Sequence, residues 1–180
     1  MEERKTRVCS SCTFGRTVAV VVCLMLGTGT LPKELLFADS QTETYQLHMP
    51  VPQVAQAAND EQVSITGSGV FSVNPKSTTA TGTYATTASG SGTWVATQLL
   101  SFVPYGCLPA PHANFCGGKL MLQVLLTDST SGQQFQGVLW VFCLIGNPPT
   151  SAQEGARLDI IGKNNFNRIV SGLNFYVKTT

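Results

Sequence analysis

Charge is scarce in this chain. Asp, Glu, Lys and Arg together make up 12% of its 180 residues, about half the share of an ordinary soluble domain. That excludes a surface of helices studded with Glu and Lys; Gly, Ser and Thr fill the positions instead. Histidine is rarer still, with 2 in the chain. From Gln62 onward the acids are Asp128, Glu154 and Asp159, and the histidine is His112. Enzymes of this size show their chemistry through such groups placed in loops, so their poverty argues against catalysis. A Ser-His-Asp set can be drawn from His112, Asp128 and one of many serines. In a serine-rich chain that is arithmetic and not a pattern, and no Gly-x-Ser-x-Gly elbow is present. Glu154 and Asp159 are a formal carboxylate pair, yet both sit in or beside turns, where solvated acids are the rule.

Other absences narrow the field further. There is no phosphate-cradling loop and no dinucleotide fingerprint. No Asn-x-Ser/Thr acceptor occurs. The net charge is +1, which gives no reason to expect a nucleic-acid partner. No amphipathic helix longer than two turns can be drawn. Cys9-Ser-Ser-Cys12 would be half of a zinc site, but no second pair follows at a useful spacing. Cys107, His112 and Cys116 would make three ligands without an obvious fourth. No catalytic residue, metal or cofactor is assigned.

What is present begins with a leader. Arg4, Lys5, Arg7 and Arg16 precede the apolar run Thr17–Leu26, which trails into Gly27–Leu31 before Pro32. A basic start, a short apolar core and a breaker are the layout of a secretory signal. The core is well below the roughly 20 residues needed to span a bilayer. Residues 1–38 are therefore read as a signal peptide that meets the membrane only in transit, with its cleavage point open. Residues 39–61 are polar, contain Pro50 and Pro52 and hold no sustained period, and are read as a linker or pro-segment. Residues 62–180 are read as the folded domain, secreted and extracellular.

In that domain the organising stretch is Val138–Ile145, apolar throughout and closed by Gly137 and Gly146. It is expected to be a central strand buried on both faces, with Val138, Trp140, Phe142 and Leu144 on one side. Alternation elsewhere predicts strands over Gln62–Val73, Thr78–Thr87, Gly92–Val103, Lys119–Thr127, Gln134–Ile145, Arg157–Ile161 and Ser171–Lys178. In the last of these Leu173, Phe175 and Val177 are expected to point inward. A slip at Val70 suggests a bulge, and Gln98 interrupts the face shared by Trp94, Ala96, Leu100 and Phe102. Three segments place an aromatic two residues after a glycine: Gly69–Phe71, Gly82–Tyr84 and Gly92–Trp94. Rings lying over glycines of neighbouring strands explain the pattern; a row of rings that stacks on sugars is the functional alternative. The sum is an all-β domain, an antiparallel β-barrel or β-sandwich of about 7–9 strands.

Cys107 and Cys116 share one loop, and in a secreted protein a disulfide closing it is the natural reading. Cys143 is then a buried free thiol; the rival pairing joins it to one of the loop cysteines. The same loop carries Tyr105, His112 and Phe115 among prolines, a pre-organised surface. Those three residues and Trp94 are the candidate ligand-binding set. The function expected is a non-catalytic binding or interaction module for a glycan or a cell surface. The alternative is a barrel, enzyme or container, that takes a small apolar ligand. An apolar second face on the central strand would also suit a homo-oligomer.

Overall fold

The computed structural model describes residues 42–179. The leader, its cleavage point, Cys9, Cys12 and Cys23 lie outside the described residues. Twelve strands follow one another: β1 Thr44–His48, β2 Gln53–Gln56, β3 Gln62–Val73, β4 Lys76–Thr78, β5 Thr81–Thr86, β6 Ser91–Cys107, β7 Phe115–Asp128, β8 Gln134–Cys143, β9 Gly155–Ile160, β10 Asn164–Phe166, β11 Arg168–Ser171 and β12 Phe175–Lys178. Every pairing between them is antiparallel, and no helix occurs among the described residues.

The described residues are all-β, as expected, with more strands than the 7–9 read from the pattern. Two of the extra strands come from the segment expected to be a linker. Tyr45, Leu47 and Met49 are buried and alternate with Gln46 and His48, a period of two too short to stand out beside Pro50 and Pro52. The others are the short pieces β4, β10 and β11.

Two long strands organise the pairing. β7 takes β6 along one edge, and β8 and β12 along the other. β3 takes β1 and β2 on one edge, β4 and β5 on the other. The pairings therefore run from β3 through β5, β6, β7, β12 and β1 back to β3. Two wings extend from this cycle. One is β8–β9–β10 from β7; the other is β2–β11 from β3. The wings meet where β2 packs against β9.

The interior is filled by alternate residues of each strand. Leu120, Leu122, Val124 and Leu126 of β7 meet Leu139 and Val141 of β8, Leu158 and Ile160 of β9, and Val63 and Ile65 of β3, all buried. Tyr45, Phe71, Phe102 and Tyr176 form one ring cluster with centroids 4.8 to 5.6 Å apart. The Tyr176 hydroxyl, fully buried, donates to the Val141 carbonyl at 2.9 Å. Tyr176 is thus the inward residue of β12. Leu173, expected inward, is 53% exposed, because Asn174 is turned in ahead of the strand by its own hydrogen bonds.

One of the three glycine–aromatic segments packs as a ring over glycines, that of Trp94. Trp94 is level with Gly82, and Gly82 with Gly67. Trp94 is 1% exposed, and its indole nitrogen donates to the Thr66 carbonyl at 2.9 Å. A Cβ on Gly82 would sit 2.6 Å from that nitrogen, so only glycine lets the ring lie flat there. The interruption at Gln98 is a pair of register shifts, between Ala96 and Gln98 and between Leu99 and Ser101. They turn Leu99 inward instead of Leu100. The slip at Val70 belongs to the partner strand: β4 and β5 are separated at Thr79–Ala80, and the Thr79 amide donates to the Val70 carbonyl.

Candidate functional site

Alternation places Leu120, Leu139, Val141 and Leu158 inside and leaves Lys119, Met121, Trp140, Phe142 and Arg157 on the outer face of β7, β8 and β9. All five are half-buried. β8 is therefore not sealed on both faces. Its inner face is core; its outer face, with Val138, Trp140 and Phe142, stays partly open because no second layer lies over it among the described residues. Register sets Trp140 between Met121 and Arg157, and Phe142 between Lys119 and Gly155.

Two depressions open on this face. One, of about 240 Å³, is lined by Lys119, Trp140, Phe142, Arg157, Asn165 and Asn167. The other, of about 350 Å³, is lined by Tyr105, Lys119, Phe142 and Arg157 and walled by Pro149, Ser151, Ala152 and Gln153. Lys119, Phe142 and Arg157 belong to both, so the two make one groove across the strands. A larger depression of about 420 Å³ lies by the β6 bulge; Thr97, Gln98, Gln123 and Gln136 line it with Val124 and Leu125, and it contains no charged group.

The groove lining holds two cations and no acid. The one ion pair among the described residues joins Lys178 to Glu43 at 2.7 Å; neither Lys119 nor Arg157 has such a partner there. The Arg157 guanidinium lies over the Phe142 ring, 5.2 Å from its centroid. Its Nε is buried and donates to no acceptor. A desolvated donor left unmade costs roughly 1–3 kcal/mol.

A polar network holds the groove from behind. Asn174, 1% exposed, donates through its side-chain amide to the Phe142 carbonyl at 2.9 Å and to Gln53 Oε1 at 3.3 Å. The Glu154 carboxylate accepts from the Leu144 amide at 2.7 Å and the Asn174 amide at 3.0 Å. Glu154 ties both ends of the 144–154 loop to the sheet, and burial pushes its carboxyl above the usual value. Gly146 completes the tie. Its φ is +88°, and Asn147 donates to the Tyr105 carbonyl at 2.6 Å. A side chain at 146 would be strained in φ and would strike the Tyr105 backbone.

The residues singled out from the sequence go to three places. Tyr105, in β6 and not in a loop, lines the groove; burial raises its hydroxyl's pKa. His112 and Phe115 lie elsewhere, in a ladder of rings: His112 to Phe115 at 6.2 Å, Phe115 to Phe175 at 5.5 Å, Phe175 to His48 at 5.0 Å. Trp94 is core and offers no surface to a ligand. Cys107 and Cys116 form the disulfide, and Cys143 is a buried free thiol. Burial pushes that thiol up to about 11, so it remains protonated at neutral pH. His112 and Asp128 fall at opposite ends of β7, on the order of 40 Å apart along its length at ~3.3 Å per residue. The chain does not bring them together as a dyad.

Lys119, Trp140, Phe142 and Arg157 were missed as a group. The available signal was a lone cation at an alternate position of each of two apolar strands, Lys119 in β7 and Arg157 in β9, flanking the aromatic pair of β8. No family model, no curated protein and no solved structure matches the chain.

Proposed function

We propose that the chain is an exported, non-catalytic binding domain, built as a closed β-barrel, whose ligand lies in the groove of Tyr105, Lys119, Trp140, Phe142 and Arg157. One observation carries this reading. Two cations without acidic partners among the described residues stand beside three aromatic side chains in an open groove. Cations beside aromatic rings suit a ligand that carries acceptors and apolar surface together. The cycle of pairings through β3 and β7 supports closure of the barrel. The basic–apolar leader and the Cys107–Cys116 bridge support export.

The container alternative has less support. Tyr45, Phe71, Phe102 and Tyr176 occupy the interior in mutual contact, and the depressions found open outward.

The test is binding of the full exported protein to arrayed glycans and cell surfaces, compared with Trp140→Ala and His112→Ala. Trp140→Ala is expected to weaken binding at least about tenfold, equivalent to ~1.4 kcal/mol, while His112→Ala leaves it unchanged. The reverse result would move the function to the ring ladder. A dimer by light scattering that Trp140→Ala dissociates would make this face a subunit interface instead.

A further inference from the structure

We infer that the groove takes an acidic oligosaccharide, a chain of uronate-type sugars whose carboxylates meet Arg157 and Lys119; this rests on the reading of the groove as the binding face. Charge complementarity is the first argument. The groove presents two cations, and no acid is among the residues lining it. Carboxylate is the second. Arg157 lines both depressions, and a carboxylate meets two parallel N–H groups of a planar guanidinium at once.

Sugar is the third. Trp140 offers ring surface to the apolar face of a pyranose, and the side-chain amides of Asn165, Asn167 and Gln153 stand at the rim for hydroxyls. Both cations stand beside Phe142: Lys119 is its register partner on β7, and the Arg157 guanidinium, rising from β9, lies over its ring. An elongated ligand in the groove meets both charges. A nucleic acid is the weaker fit. Its affinity rests on many phosphates neutralised together, and the groove holds two cations in a chain of net charge +1.

The experiment is isothermal titration of the full-length, disulfide-bonded protein with oligogalacturonate and oligomannuronate. Methyl-esterified oligogalacturonate, the same sugar without the charge, and polyglutamate serve as comparators. At least one acid oligomer is expected to bind, with affinity falling as salt is raised and at least about tenfold above the ester. Arg157→Gln and Lys119→Gln should each lose at least about tenfold with unchanged circular dichroism, and Arg157→Lys should not restore the wild-type value.

Equal affinity for acid and ester would overturn the inference yet leave the groove reading standing if Trp140→Ala abolished both. Equal affinity for polyglutamate would reduce the site to unspecific charge and overturn it. Failure of both acid oligomers to bind would also overturn it, and the array experiment above would then judge the groove on its own.

Discussion

Arg157 lies over the ring of Phe142, 5.2 Å from its centroid, although its register partner across the β8–β9 pair is Trp140. The guanidinium thus leans along the sheet by one row, and both aromatics of the outer face end beside it. Cation–ring contacts at partly exposed sites are worth about 0.5–1 kcal/mol. Arg157→Gln is therefore expected to lower unfolding stability in urea by no more than about 1 kcal/mol. A loss well beyond that would mean Arg157 holds the fold and is not a surface group.

Trp94 is a structural residue by contrast. Trp94→Ala should cost about 3–5 kcal/mol, the range for emptying a buried aromatic site. Gly82→Ala should also destabilise strongly, because the new methyl meets the indole and the Thr66 carbonyl. Equilibrium denaturation measures both. A neutral Gly82→Ala would show that the ring does not lie against this glycine.

The pH response has a sign set by Glu154. Burial, opposed by hydrogen bonds from the Leu144 and Asn174 amides, raises its carboxyl above the ordinary 4.5. The folded state then binds this proton more tightly than the unfolded state does. Its contribution is fully present below pH 4.5 and is lost as the pH rises through the folded value. The stability difference between wild type and Glu154→Gln should therefore shift against the wild type with rising pH across that window. Glu43 has the opposite sign, since the hydrogen bond from Lys178 holds its carboxyl below 4.5. Its contribution is present above 4.5 and lost as the pH falls through the lowered value. A difference that grew in favour of wild type with pH would contradict the account of Glu154.

Reduction of Cys107–Cys116 should cost about 2.5 kcal/mol, the value expected when a short loop is freed in the unfolded chain. Non-reducing peptide mapping should find Cys143 unmodified by alkylating reagent until the protein is unfolded, because its thiol is buried. Rapid labelling of Cys143 in the native state would contradict that burial.

The sequence made the strands legible wherever apolar and polar residues alternate for six positions or more, as in β3, β7 and β8. It hid β1 because three apolar residues between polar neighbours and two prolines do not make a visible period. It hid the true inner face of β6 because two bulges change the parity, which a fixed period of two cannot show. The groove was obscured for a related reason. Trp140 and Phe142 were correctly put on one face, but an unbroken apolar run implies burial on both sides, and only the sheet's neighbours show that this side is partly open. Tyr105 was legible as a surface aromatic; its separation from His112 and Phe115 was not, because strand pairing extends to Cys107 and leaves only residues 108–114 as loop.

β12, four residues from Phe175 to Lys178, joins β1 to β7. Closure of the cycle thus depends on bringing Thr44–His48 and Phe175–Lys178 together across almost the whole described chain. Such a topology has high contact order, and assembly waits on its most distant encounter. A polypeptide cut short before Phe175 would leave β1 and the end of β7 without their shared neighbour, and Tyr176 would be missing from the ring cluster. Truncation here would therefore act as an all-or-none fault in maturation, with β1 edges left open to pair with other chains.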